Sequence, residues 1–275
     1  MDQFTTVIRS NTKVSRATGN FEMFTVEAVV TEMAGMNTIT VRILPLDSSE
    51  YAVLVDFVLT VADATTEVKQ DLWEPGKKIM ELHTSDNGPV NLMASTVKLL
   101  SPVDLSRPTA YRNFEVRCGS NNFFVDLRVL SELGGPLFTS WKVRQEAGVD
   151  FVEVDDISPD DMKTLLHATA RFGSVVIHRD NYVVVSVLAS QYRMLTVLRE
   201  VESYLIAAKI PLIRKLEFAV ELRMARLYDM TMREIGPNAI EEIHRYLRDN
   251  GDRLQDLHWS LRTALGVNAD YVCIP

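Results

Sequence analysis

The first hundred residues alternate apolar and polar side chains in short runs. In the segment 38–43, Thr-Ile-Thr-Val-Arg-Ile, the alternation has the two-residue period of a half-buried strand. Turn-forming groups at 47–49, 75–76 and 86–89 separate this run from others rich in β-branched and aromatic residues. Five or six short strands are therefore predicted between Phe21 and Leu100, as a small antiparallel sandwich. The named strand candidates are FEMFTVEAVV, NTITVRILPL, YAVLVDFVLTV, KKIMELHT and VNLMASTVKLL.

The two ends of this β-rich stretch have a different composition. Residues 1–20 hold few large apolar side chains, and we expect a flexible tail there. Residues 101–110, SPVDLSRPTA, contain two prolines and two serines, which is typical of a linker. We therefore expect a β-rich domain over 21–100 and a second domain that begins at residue 111.

The pattern after residue 111 predicts a hairpin, a short strand and then helices. FEVRC and FFVD flank a predicted turn at 119–122, and a helical stretch follows from about Leu127 to Val143. Gly134-Gly135 predicts a break between two short helices, and FVEVDD predicts one more strand. The order β–β–α–β followed by helices indicates an α+β fold for the whole chain.

Helix start signals recur through the second half. Ser158 precedes Pro159, and Asp161 stands where a capping box places an acid. Further helices are expected from near Asp180, which would be the N-cap, and from Thr196. Two more are expected from Pro211 and from Met224 to Ile235, and additional helices over 236–275, with Gly251 between them.

Composition narrows the class of protein. The chain has 275 residues, 47% hydrophobic and 24% charged, so disorder of the whole chain is excluded and two domains fit. The net charge of −8 disfavours a general affinity for nucleic acid. Cys118 and Cys273 form no disulfide framework, which favours a reducing compartment. A polar N-terminus and the lack of a long apolar run predict a cytoplasmic or nuclear protein without a membrane segment.

The chemistry-bearing residues are scattered. His178-x-Asp180 could ligate a metal or form part of a relay, yet Asp180 as a helix cap explains the pair. Glu241-x-x-His244 matches one step of a di-iron bundle, which needs a second such step, so a solvated helix face is favoured. Cys118 lies in a predicted strand, and a buried structural thiol is favoured over a nucleophile.

The acidic groups at 155–156 and 160–161 could hold a cation, but stabilisation of a helix N-terminus explains the second pair. Phosphate loops, GxSxG, HExxH and CxxC do not occur in the sequence. The sequence therefore assigns no catalytic, cofactor-binding or metal-ligating residue, and an enzyme is disfavoured.

Five segments of residues 112–235 resemble, in order, a BTB/POZ domain of the divergent kind common in nematode proteins. FEVRCGSNNFFVDLRVLSELGGPLF is similar to the opening hairpin and first helix of the family, and FVEVDDISPDDMKTLLHATARFG to its strand–aspartate–helix segment. IHRDNYVVVSVLASQYRM, VLREVESYLIA and LIRKLEFAVELRMARLYDMTMREI are similar to the helical segments that follow. The N-terminal half occupies the place of a MATH-type β-sandwich, an analogy of architecture.

The resemblance implies a non-catalytic interaction protein without a cofactor. It implies a homo- or heterodimer through the first helix and opening strand, with Phe123, Val129, Leu130 and Leu133 as candidate interface residues. It also implies an adaptor that links a partner to a cullin–RING ubiquitin ligase. Val143 and Glu146 are the candidate cullin contacts, although Arg144 stands where the family has an apolar residue. The alternative is a degenerate scaffold subunit of a nuclear or RNA-processing complex, without ligase recruitment.

Overall fold

A computed structural model describes most of the chain. The described residues are 4–8, 14–21, 24–33, 36–45, 52–61, 64–74, 78–84, 90–100, 103–171, 174–234 and 245. They form a mixed α and β structure with seven helices and three sheets. No helix in these ranges is long and apolar enough to cross a membrane. The helices predicted after residue 235 lie outside the described residues.

The N-terminal part, here called the β-rich unit, consists of eight strands. They are β1 Phe4–Ile8, β2 Val14–Phe21, β3 Phe24–Met33, β4 Met36–Pro45, β5 Ala52–Val61, β6 Ala64–Trp73, β7 Lys78–Thr84 and β8 Val90–Leu100. One four-stranded sheet has the order β1-β8-β5-β6 and the other the order β2-β3-β4-β7. All pairs within both sheets are antiparallel, and the five named strand candidates are confirmed.

The flexible tail predicted for residues 1–20 is wrong for the described residues 4–8 and 14–20. The segment Phe4–Ile8 pairs with β8, and Val14–Phe21 pairs with β3 along its whole length. Strand β1 has only five residues, and β2 has only Val14 and Phe21 as large apolar residues, so their own composition gives little signal. They form because neighbouring strands supply the backbone partners.

Strand β6 is the third element that the pattern did not reveal. Its sequence ATTEVKQDLW places charged residues among few apolar ones. The pairing with β5 shifts register between Val55 and Phe57, and Gln70 has φ +50°. A bulge of this kind interrupts the two-residue period, so the alternation that identifies strands is lost.

The second part, here called the helical unit, begins with a three-stranded sheet. Its strands are β9 Phe114–Cys118, β10 Asn121–Val125 and β11 Phe151–Glu153, in the order β10-β9-β11. The β9–β10 hairpin is confirmed, with Cys118 opposite Asn121, so the turn is shorter than the predicted 119–122. Gly119 has φ +55°, a conformation that favours glycine. Strand β11 runs parallel to β9.

Seven helices complete the helical unit. They are α1 Leu127–Ser131, α2 Pro136–Glu146, α3 Pro159–Thr169, α4 Tyr182–Gln191, α5 Leu195–Ala207, α6 Leu212–Glu221 and α7 Ala225–Glu234. The break at Gly134-Gly135 is confirmed, and so is the cap of α3, where the Ser158 hydroxyl oxygen accepts a hydrogen bond from the Asp161 N–H (3.1 Å). One apolar core extends from Leu105 to Leu227.

One expectation for α4 needs correction. The helix begins after Asn181, not Asp180, and the Asn181 side chain instead bonds the preceding loop. Val185, Leu188 and Ala189 face the core, whereas Val183 and Val187 are 44% and 54% exposed. This helix is apolar on all sides, so the sequence pattern does not identify its inner face.

The segment predicted as a linker packs on the helical unit. Leu105 is buried in the core of that unit, and its carbonyl oxygen accepts a hydrogen bond from the Phe124 N–H on β10 (2.8 Å). The Arg112 guanidinium donates to the Asp104 carbonyl oxygen (2.6 Å). Residues 103–112 therefore extend along the outer edge of the three-stranded sheet.

Candidate functional site

Three of the four candidate dimer residues lie inside the protomer. Phe123, Leu130 and Leu133 are 7%, 0% and 8% exposed and belong to the core of the helical unit. Val129 on α1 is half-buried and keeps part of its surface. Of the four, Val129 therefore has the most surface to offer a partner chain.

The surface around Val129 also contains an exposed aromatic and a cation. Tyr111 is 68% exposed, and the Arg128 guanidinium carbon lies 5.3 Å from the centre of its ring. Asp126 forms an ion pair with Arg128 (2.7 Å) and caps α1, and the bonded Arg128 side chain lowers the pKa of the Asp126 carboxyl. Exposed Tyr and Arg are residue types enriched where protein interfaces bind most strongly. We call Tyr111, Arg128 and Val129 the α1 surface.

Both candidate cullin contacts are exposed at the C-terminal end of α2. Val143 is 60% exposed, and Glu146 is the last residue of the helix. The chain then turns at Gly148, with φ +86°, and presents Val149 and Phe151, each 39% exposed. We call Val143, Glu146, Val149 and Phe151 the α2 surface, an apolar area of a kind that partners can cover.

The candidate chemical groups do not converge within the described ranges. The Cys118 thiol donates to the Ile157 carbonyl oxygen (3.1 Å), and burial raises its pKa, as suits a structural thiol. The Tyr192 hydroxyl donates to Asp156 (2.5 Å), and burial with this bond raises the pKa of Tyr192 to about 12. Among these residues no group of three or more potential metal ligands comes together. Glu241 and His244 lie outside the described residues.

His178 and Asp180 act within a turn. The Nδ1 of His178 accepts a hydrogen bond from the Asp180 N–H (3.3 Å) and lies 3.9 Å from Asp180 Oδ2. The turn is fixed by Asn181, whose Oδ1 accepts from the His178 N–H (2.8 Å) and whose Nδ2 donates to the Val176 carbonyl oxygen (2.9 Å). The buried Asn181 side chain thereby shapes the loop 174–181 between α3 and α4.

That loop contacts the β-rich unit. Val176 is 4% exposed and packs in an apolar cluster with Ala52, Leu54 and Leu100 from strands β5 and β8. Leu72 of β6 packs against the same cluster. A loop of the helical unit therefore covers one end of the sheet β1-β8-β5-β6.

Charged residues surround this apolar contact, and their signs are complementary. Arg179 Nη2 lies 3.5 Å from Oδ1 of Asp71, which is fully buried, and the Trp73 indole N–H donates to Oδ2 of the same carboxylate (3.1 Å). Lys209, between α5 and α6, forms an ion pair with Glu67, and this bond lowers the pKa of Glu67.

Two further groups belong to the same contact. Burial lowers the pKa of Arg171, and the charge of Glu74 acts against that shift. Burial raises the pKa of the Tyr204 hydroxyl, on which Tyr182 and the charges of Arg179 and Asp71 also act. Three acids thus face three bases of the helical unit. The acids are Glu67 and Asp71 on β6 and Glu74 directly after it, and the bases are Lys209, Arg179 and Arg171. We call these six residues the contact charges.

The helices α4–α5 and α6–α7 form two similar hairpins. Arg193 and Arg223, 30 positions apart, both have φ +55° at the turn. Met194 and Met224 each donate a backbone hydrogen bond of 2.8 Å, to Ala189 and Ala219 respectively. The sequence signal is an alanine followed four and five residues later by Arg-Met, which occurs in both hairpins.

The sequence did not single out the contact charges. Three of them lie in or just after β6, which was not predicted, and their partners are 97 to 142 positions away in the chain. The local signal is the alternation of charge sign at every second position, in Glu67, Lys69 and Asp71. The same pattern also fits a strand that is exposed to solvent.

A scan against protein-family models gives no match to this chain, and a search of curated proteins gives none either. Function therefore rests on the residues and geometry described above.

Proposed function

We propose that the chain is a non-catalytic interaction protein whose helical unit is a BTB/POZ-like self-association module. The observation that carries the proposal is the order of elements over 114–234: a hairpin, two short helices, a short strand and then helices. The five segments that resemble the family extend over β9, β10, α1 and the start of α2, then β11 and α3, then α4, then most of α5, and finally α6 and α7. Taken together in this order, they support the proposal more than any single segment does.

The α1 surface is the proposed self-association site. It combines an aromatic ring, a guanidinium and an apolar side chain on one short helix and its neighbouring loop. In a homodimer with two-fold symmetry the same patch of both copies would meet, so each substitution would act twice.

The β-rich unit is proposed to bind a partner protein, as a MATH-like sandwich would. Support comes from β5, where Val53, Val55, Phe57 and Leu59 are nearly inaccessible, whereas Asp56, Val58 and Thr60 are half-buried. Such alternation requires a second layer over one face of the sheet, and the sheet β2-β3-β4-β7 is the natural candidate for that layer.

The α2 surface supports the more specific role of an adaptor for a cullin–RING ubiquitin ligase. The test is a pull-down of the third cullin with the full-length chain, with Val143→Asp and with Glu146→Lys. Binding by the wild type, its loss in both variants and its retention in the exposed control Glu200→Lys would support this role. A wild-type chain that captures no cullin contradicts it.

Arg144 favours a second candidate function. It is exposed beside Val143, at the place where the family resemblance calls for an apolar contact. A charge at that place would oppose an apolar docking interface. The second candidate is therefore a scaffold subunit of a nuclear or RNA-processing complex that keeps the BTB-like dimer and lacks the ligase. Affinity purification that recovers a stable complex without cullin would favour it.

A further inference from the structure

The contact between the two units contains charged pairs as well as an apolar cluster. In the described part of the helical unit, Val176 is the single buried residue of that cluster. The charged pairs across the boundary include Lys209 with Glu67 and Arg179 with Asp71, and the charge of Glu74 acts on Arg171. Contacts between domains of one chain permit relative motion unless they are large and apolar. The charges therefore contribute to how firmly the units are joined.

We propose that the contact charges form an electrostatic clamp that holds the β-rich unit in one orientation on the helical unit and opens when the ion pairs are screened or removed. This inference goes beyond the proposed function and does not depend on the family resemblance. Its consequence is geometric: while the clamp is closed, a protein bound to the β-rich unit would have a fixed position relative to the helical unit.

The ion pairs differ in exposure, so the clamp has a strong and a weak part. The Lys209 side chain is 62% exposed and that of Glu67 25%, which leaves this pair open to screening by salt. The Asp71 side chain is fully buried and is held by the Trp73 indole, so its attraction for Arg179 is screened less.

Neighbouring charges belong to the same network. Lys69 bonds both Asp56 (3.0 Å) and Glu67 (3.2 Å), and Arg179 also lies 3.4 Å from Asp180. Glu67 therefore has a partner on its own strand when Lys209 is lost. Opening of the clamp therefore leaves Glu67 paired with Lys69, which makes a reversible opening feasible.

The test measures the distance between the units in the full-length chain. Nitroxide labels are placed at Met93→Cys on β8 and Glu200→Cys on α5, both on exposed residues, with Cys273 replaced by serine and the buried Cys118 retained. Pulsed dipolar spectroscopy then gives the distance distribution. At low salt we expect one narrow peak, which broadens at about 1 M salt, where the Debye length is about 3 Å.

Charge variants separate the clamp from a merely apolar contact. Lys209→Glu should raise the open fraction about fivefold, the factor that corresponds to loss of an exposed pair at the upper end of its usual strength. Arg179→Gln should raise the open fraction by more than Lys209→Glu does. The exchanged pair Glu67→Lys with Lys209→Glu, made together with Lys69→Gln so that two lysines do not adjoin, should restore the narrow peak. The control Arg199→Glu on α5 should leave the peak unchanged.

Lys209 is largely exposed, so its substitution leaves the core intact, and circular dichroism checks that the variant is folded. A narrow peak that persists in Lys209→Glu, in Arg179→Gln and at high salt would overturn the proposal. The proposal is also overturned if the variant with the exchanged pair has the same open fraction as Lys209→Glu alone.

Discussion

Arg179 of the loop before α4 lies 3.5 Å from the fully buried carboxylate of Asp71 on β6, across the boundary between the two units. The Trp73 indole N–H donates to the other oxygen of that carboxylate. Removal of the negative charge should weaken the indole bond and the attraction for Arg179, whose side chain is 36% exposed. Asp71→Asn is therefore expected to lower the free energy of unfolding by about 1–2 kcal/mol, measured by urea denaturation.

Asp150→Asn is the matched control, because this residue is exposed in the loop before β11. Its effect should stay below about 0.5 kcal/mol. A double-mutant cycle with Arg179→Gln should show that the two losses are not additive. Equal effects of Asp71→Asn and Asp150→Asn would show that the Asp71 carboxylate contributes nothing to the contact.

The glycine pair before α2 offers a second comparison. Gly134 and Gly135 both have φ +81°, but a Cβ atom on Gly135 would collide with the carbonyl oxygen of Tyr192, while one on Gly134 meets nothing within 4 Å. Gly134→Ala is expected to cost about 1–2 kcal/mol from backbone strain alone. Gly135→Ala is expected to lower the free energy of unfolding by at least about 3 kcal/mol relative to the wild type, because backbone strain and the collision add. Thermal unfolding of both variants tests this order, and equal losses would refute the close packing at Tyr192.

Glu202 on α5 caps a helix that begins more than twenty residues later. Its Oε1 accepts hydrogen bonds from the backbone N–H groups of Arg226 (3.0 Å) and Leu227 (3.1 Å) at the start of α7. Glu202→Ala should destabilise the chain by about 2 kcal/mol, and Glu202→Gln by less, because the amide oxygen can still accept. Amide exchange at Arg226 and Leu227 should accelerate in the alanine variant, and unchanged exchange there would count against the cap.

Stability should fall on mild acidification because of His167. Burial first, and then the charges of Lys163 and Arg171, lower the pKa of this half-buried histidine below its ordinary value of 6.5. The unfolded chain therefore takes up the proton first as pH falls below 6.5, so the free energy of unfolding declines from there down to the lower pKa of the folded state. Above 6.5 this group has no effect. Urea denaturation between pH 7.5 and 5 measures the slope, which His167→Gln should reduce; an identical slope in both would contradict the assignment.

Local signals sufficed for parts of the fold whose partners are near in the chain. The β9–β10 hairpin followed from alternation around Gly119, and the start of α3 followed from Ser158 and Pro159. Strands β1, β2 and β6 were not predicted. Strand β1 depends on pairing with the distant β8, β2 contains few large apolar residues, and β6 has its period interrupted at Gln70.

The candidate interface residues show the same limit. Apolar character selected Phe123, Leu130 and Leu133 together with Val129, but core and surface positions on a short helix have the same residue types. Only the packing of α1 against its own core distinguishes them. The contact charges needed the same information, because Asp71 and Arg179 are unremarkable in sequence until the loop 174–181 brings them together.

Val129 and Leu130 are adjacent, and substitutions at these two positions distinguish an effect on folding from an effect on association. Leu130→Asp places a charge in the core and should abolish folding, whereas Val129→Asp should remain folded. Val183→Asp is the control for the second substitution, since Val183 is an exposed valine on a different helix, α4.

The most direct measurement of self-association through the α1 surface is the mass of the full-length chain by light scattering at micromolar concentration. The account predicts twice 31.1 kDa for the wild type and for Val183→Asp, and 31.1 kDa for folded Val129→Asp. A wild-type mass of 31.1 kDa at every concentration, or a dimer that survives Val129→Asp unchanged, would contradict it.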